Sequence, residues 1–220
     1  MKKFEKLAEA ATPDGTVLGL FRHDGAYTIR VRGVELMSTR RHLSEEHMAD
    51  VGCAPLEGRS GARVLIGGVG FGFTARAALR WLAPDGDLVI AELVEAVVAW
   101  NRNPDYPLAA DVLADPRVSV RVEDVTRTLE REKFDAILLD VDNGAESLTD
   151  SGNAVLYRRK GIRRAAAALR PGGRLIYWLA GSDPSFQAAL RAEGLEVEEQ
   201  RIATYPGAGT RHSLFVAKRP

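Results

Sequence analysis

A single cysteine, Cys53, is all the thiol chemistry the chain has, which excludes an internal disulfide and any cysteine-based metal cluster. A catalytic thiol is disfavoured too, because the flanking Gly52, Ala54 and Pro55 include no base to activate it. Long apolar runs are missing: nothing approaches the roughly 18 uninterrupted apolar residues of a membrane span. The opening MKKFEKLAEAATPDG has no apolar segment behind its lysines, as a secretory signal would, so a cytoplasmic location is expected. Excess charge of either sign is also lacking. The 30 basic residues match the 30 acidic ones, so no global field draws nucleic acid or an anionic membrane, and neither is expected as a partner. The local cluster RRKGIRR at 158–164 reads as the solvated face of a helix. Internal repeats and low-complexity segments are absent.

What is present is a 220-residue chain with 45% hydrophobic and 27% charged residues, enough for one large soluble domain or a domain with a small attachment. Residues 16–39 read as an antiparallel meander: Tyr27, Ile29 and Val31 alternate with polar residues, and Asp24-Gly25 and Arg32-Gly33 are hairpin turn signals. HLSEEHMADVG at 42–52 follows as a helix with Ser44 as its N-cap, and Pro55 and Gly58 mark a boundary. The expected organisation is an N-terminal β-region with a linking helix over 1–58 and a nucleoside-binding domain over 59–220.

From Arg63 onward strand and helix alternate, the pattern of a parallel sheet covered by helices. Strands fit at 63–67, 87–92, 117–122, 135–140 and 173–179, with helices at about 74–83, 94–102, 125–131 and 154–169. Asp183-Pro184 opens a further helix, and LEVEEQRIA and HSLFVAKR close the chain as two strands.

Ligands of such a sheet bind beyond the carboxyl ends of its strands. The first of those ends is VLIGGVGFG, with glycines at 67, 68, 70 and 72, a density expected only where φ must be positive or a ligand must meet the main chain. Glu92 lies about 20 residues further, where an acid accepts ribose hydroxyls; Asp124 follows the third strand, placed for an adenine edge; Asp140 and Asp142 follow the fourth. Helix-start acids are the simpler alternative for Glu92 and Asp124. Phe71-Gly72-Phe73-Thr74 stands where a phosphate-binding loop needs its lysine, so a nucleoside fits better than a phosphate chain. Glycines at the first strand end and carboxylates at the next three suit adenosine carrying a cationic sulfonium, with no metal required.

At these residues the chain resembles the spermidine synthase (polyamine aminopropyltransferase) family, a branch of the class I S-adenosylmethionine-dependent methyltransferase fold. The resemblance runs through VLIGGVGFG, AELVEAVVAWNR, RVEDV, FDAILLD, AESL and LYRRKGIRRAAAALRPGGRL. It implies a Rossmann-like α/β fold with a mostly parallel seven-stranded sheet, helices on both faces and a small N-terminal antiparallel region. It also implies a homodimer built partly through that region. By the same resemblance, Gly67, Gly68, Gly70, Gly72, Glu92, Asp124 and Asp140 hold the adenosyl donor, and Asp140 and Asp142 serve catalysis.

The chain departs from the family in three places. The glycine loop of the family carries an aspartate that grips the donor amine, and here that position is Gly70. The loop after the fourth strand is three residues shorter, leaving Asp140 cleanly matched and Asp142 shifted. A tyrosine expected in the N-terminal helix is absent, with Ser44, Glu45 and Glu46 in that region. An aspartate at 70 would repel the carboxylate of intact S-adenosylmethionine, so Gly70 favours that donor and with it methyl transfer to a small nucleophile such as an amine. The alternative is aminopropyl transfer from decarboxylated S-adenosylmethionine, with Asp142 and Glu46 replacing the missing acids. A third is nucleoside binding without turnover. His212, Trp178 and the Tyr205-Pro206 turn are read as a solvated hairpin end, packing and a loop, although the first two could reach a substrate.

Overall fold

The computed structural model describes residues 4–140, 155–203, 209 and 211–220. Asp142, Tyr205 and Pro206 lie outside the described residues.

The N-terminal meander is a four-stranded antiparallel sheet, β1 (Glu5–Ala11), β2 (Val17–His23), β3 (Ala26–Val31) and β4 (Val34–Ser38), paired in chain order. Both tight turns adopt the left-handed conformation at both central positions, Asp24-Gly25 at φ 50° and 75° and Arg32-Gly33 at φ 50° and 81°. That geometry matches the twist of the strands it joins. β1 was not expected, since EKLAEAA carries helix-favouring residues and no alternation. Pairing with β2, through a register shift between Lys6 and Ala8, overrides its propensity.

Helix α1 (Leu43–Cys53) starts two residues earlier than the expected cap implies: His42 occupies the N-cap position without a side-chain cap bond. Ser44 therefore lies inside the first turn, 3% exposed, with its hydroxyl turned to other partners. Cys53 is buried, and burial pushes its thiol up to about 12, which removes it from neutral-pH chemistry.

The second sheet alternates with helices along β5 (Arg63–Gly67), α2 (Phe73–Leu79), β6 (Asp87–Glu92), α3 (Glu95–Arg102), α4 (Ala110–Leu113) and β7 (Val118–Val122). It continues through α5 (Val125–Arg131), β8 (Phe134–Leu139), α6 (Arg159–Ala168), β9 (Leu169–Leu179), α7 (Pro184–Ala192), β10 (Glu196–Ala203) and β11 (Arg211–Lys218). The strand order is β10-β11-β9-β8-β5-β6-β7, parallel except that β11 runs antiparallel to both its neighbours. Strand order reverses at β5, whose neighbours are β6 on one side and β8 on the other. The short α4 was not foreseen. α6 begins at Arg159, later than the expected 154, and β9 begins at Leu169, four residues before the expected strand, so that LRPGG opens β9. Asp183 caps α7 as expected, accepting from Phe186 N–H at 2.9 Å. The basic residues of α6 pair outward, Arg159 and Arg163 with Glu193 and Arg164 with Glu130.

One hydrophobic cluster passes from Leu18, Ile29 and Val31 of the small sheet through Met48 of α1 to Val64 and Leu138 of the large one. The N-terminal sheet is thereby fixed against the carboxyl end of the parallel strands. At the opposite end, Asp135 is 2% exposed and ties three segments together. Its Oδ2 accepts from Arg63 N–H (2.8 Å) and the Arg170 guanidinium (2.7 Å), and Oδ1 lies 2.8 Å from Arg59. Asp135→Ala leaves buried donors uncompensated and is expected to cost about 3 kcal/mol, read by urea denaturation, with adenosyl-ligand affinity unchanged.

Candidate active site

A cavity of about 320 Å³ opens at the strand-order reversal, within the range of small-molecule sites. Its floor is the loop after β5. Gly68 and Gly70 line it at φ 85° and 51°. A Cβ on Gly68 would stand 3.2 Å from the Asp140 carbonyl, so both conformation and space restrict that position to glycine. A Cβ on Gly70 would face the Met37 sulfur at 3.6 Å, which shows that position 70 looks toward β4. Gly67 instead completes β5 by pairing with Ala91 and Leu139. Gly72 supplies the left-handed N-cap of α2, where a Cβ would sit 2.4 Å from that of Ala109. Asn101, 1% exposed on α3, steadies the loop by donating to the Gly70 carbonyl at 2.8 Å and the Val97 carbonyl at 2.9 Å.

Glu92 ends β6 and is buried in the cavity wall. Val69 N–H donates to its Oε2 at 2.9 Å and Val94 N–H to its Oε1 at 2.8 Å. Burial raises its pKa above the ordinary 4.5, while the amides of Val69, Val94 and Leu93 pull it back down. Each oxygen keeps a further lone-pair direction, so a vicinal diol is a fitting ligand. Asp124 is exposed and caps α5, its Oδ1 accepting from Thr126 N–H at 2.7 Å, the helix-start role named above as the simpler alternative. At that strand end it is Val125 that lines the cavity. Asp140, just past β8, lines the cavity and is half-buried.

The remaining wall comes from the N-terminal region, which local patterns did not point to. Leu18, Ile29, Leu36 and Met37 contribute apolar surface, and Glu35, Arg41, Ser44 and Glu45 contribute polar groups. Arg41 pairs with Glu35. Glu45, and not Glu46, reaches the cavity: neighbouring helical residues point about 100° apart, and the Glu46 carboxylate lies 3.1 Å from His42 Nδ1. Burial raises the Glu45 pKa against the lowering effect of the Ser44 hydroxyl, which donates to its Oε2 at 2.6 Å. His212 and Trp178 also line the cavity, with ring centroids 4.5 Å apart at 66°, in place of the solvated hairpin end expected for the histidine.

No family model matches the chain, and no curated protein matches it in sequence. Among solved structures it is similar to a spermidine synthase in complex with the transition-state analogue AdoDATO, with a TM-score of 0.71 and 19% identity over 100% of this chain and 74% of that one. It is likewise similar to the spermidine synthase from Thermotoga maritima, with a TM-score of 0.73 and 18% identity over 100% of this chain and 75% of that one. The chain has the fold of these spermidine synthases: a Rossmann-like, mostly parallel seven-stranded sheet preceded by a small antiparallel one.

Proposed function

We propose that the protein is a transferase that takes the aminopropyl group of decarboxylated S-adenosylmethionine and places it on an amine, releasing methylthioadenosine. The observation that carries this is the charge of the cavity wall. Among the described residues it holds four carboxylates, Glu35, Glu45, Glu92 and Asp140, against one guanidinium, Arg41, which is already paired with Glu35. Such a wall suits a donor with an ammonium and a sulfonium and no carboxylate, and an acceptor that arrives as an ammonium. The likeness to spermidine synthases supports the same choice.

This reverses the preference inferred from Gly70 alone. The acid lost from the loop has counterparts in Glu35 and Glu45, brought to the cavity by a sheet and helix more than 20 residues upstream. In this scheme Glu92 receives the ribose hydroxyls, and Val69, Val94 and Val125 offer apolar surface to the base. Gly68 and Gly70 let the main chain lie against the donor tail, and Asp140 holds the attacking amine. Catalysis is positioning at a carbon the sulfonium has already activated.

Wild-type protein is expected to bind decarboxylated S-adenosylmethionine at least about tenfold more tightly than the intact form. A single like-charge contact near 4 Å costs roughly 4 kcal/mol at an effective dielectric of 20, several times what tenfold needs. Competition calorimetry reads the ratio. A second reading, methyl transfer, retains one observation in its favour: Arg41, once released from Glu35, gives a methionine carboxylate a cationic partner. Equal or tighter binding of the intact donor would move the assignment there.

A further inference from the structure

Ser44 and His212 are 168 residues apart in the chain and meet at the cavity edge, where His212 Nδ1 lies 3.2 Å from Ser44 Oγ. Ser44 spends its only proton on Glu45 Oε2, 2.6 Å away. Its oxygen is therefore the acceptor in the contact with His212, and Nδ1 is the ring nitrogen that carries hydrogen. The neutral imidazole is left with a bare lone pair on Nε2, on the far side of the ring. Trp178 packs against the ring from β9. All four side chains line the cavity that also holds Asp140 and the glycine loop.

We propose that His212 is the base that deprotonates the acceptor amine, with Ser44 and Glu45 as positioning residues that fix its tautomer and stabilise the imidazolium that forms. The proposal rests on the transferase function above. An ammonium acceptor passes one proton to Nε2, and the freed nitrogen lone pair forms the new C–N bond to the carbon on sulfur. The C–S bond breaks with its electron pair going to sulfur, so the sulfonium becomes a neutral thioether and its charge moves to the product nitrogen. His212 then returns the proton to water. The arrangement repeats the logic of an acid-oriented histidine with a hydroxyl inserted between acid and ring.

The groups facing His212 agree with this role. From α1 come Ser44 and Glu45, from the segment before it Arg41 with its partner Glu35, and from β9 the Trp178 ring; across the β10 pairing stands the apolar Ile202. Burial, with Arg41 adding to it, lowers the imidazole pKa below 6.5, so the ring is neutral and able to accept a proton at pH 7.

The test joins imidazole 15N NMR with steady-state kinetics on the full chain, using decarboxylated S-adenosylmethionine and a panel of diamines. Wild type should show His212 protonated at Nδ1, and Ser44→Ala should mix the tautomers. His212→Gln should lower kcat at least about tenfold and abolish the acid limb of the pH profile, with methylthioadenosine affinity kept within about twofold. Glu45→Gln keeps an acceptor for the serine but removes the charge, so its acid limb should move to lower pH. Turnover in wild type with an unchanged profile in His212→Gln, or a tautomer protonated at Nε2, overturns the base role while the transferase function stands. If wild type transfers nothing to any amine, both fall, and the 15N spectra still report whether the serine contact exists.

Discussion

Glu92→Gln is expected to weaken methylthioadenosine binding by roughly 10- to 100-fold, about 1.5 to 3 kcal/mol, with the fold retained. Glu92 uses both oxygens on the amides of Val69 and Val94, and an amide side chain has one oxygen to offer, so one of those N–H groups loses its acceptor. The loop that carries Gly68 and Gly70 is then released on one side, and the diol of the ligand meets a neutral group where it had a carboxylate. Calorimetry with methylthioadenosine measures the loss, and an unchanged affinity would remove Glu92 from the site. The pH dependence has a definite sign. Because burial raises the folded pKa above 4.5, the fold favours the neutral acid, and the residue's contribution to stability is present below the unfolded value and lost as pH rises through the folded one. Ligand hydroxyls favour the ionised form, so affinity should climb with pH across that same window. The climb should be missing in Glu92→Gln.

Asp140→Asn is expected to lower turnover about a hundredfold while methylthioadenosine affinity changes less than about threefold. Asp140 stands past the end of β8, beside the Gly68 turn, and lines the same cavity as the N-terminal acids Glu35 and Glu45. The substitution keeps shape and removes charge, so it separates attraction of the incoming ammonium from donor binding. Steady-state kinetics at saturating donor, paired with calorimetry, reads the two effects apart. Collapse of affinity with kcat intact would reassign Asp140 to the donor.

The parts of the site legible in the sequence are those whose cause is local. Gly68, Gly70 and Gly72 all have positive φ, a demand written into the residue type. Glu92 follows from the spacing between one strand end and the next, and the hairpin turns from Asp24-Gly25 and Arg32-Gly33. Asp124 shows the limit of that logic: a strand-end acid is also a helix-start acid, and its exposed carboxylate caps α5. The opposite wall was not legible because its cause is tertiary. Glu35, Arg41, Ser44 and Glu45 become site residues only when the N-terminal sheet docks over the carboxyl ends of the parallel strands. His212 joins them only because β11 pairs with β9 and brings it beside Trp178. Ser44 was legible as a helix-start residue but not in phase, and a two-residue shift of the helix start decides whether its hydroxyl caps α1 or bonds Glu45 and His212. The donor proposed above differs from the one Gly70 suggests for the same reason, since Gly70 was read without the acids that line the same cavity.

Mass spectrometry of the nucleoside released by the purified protein, given each donor in turn with a panel of amines, tests the central claim most directly. Methylthioadenosine formed from decarboxylated S-adenosylmethionine, in step with an aminopropylated amine, is the predicted result. S-adenosylhomocysteine formed from intact S-adenosylmethionine, with no methylthioadenosine from the other donor, would contradict it.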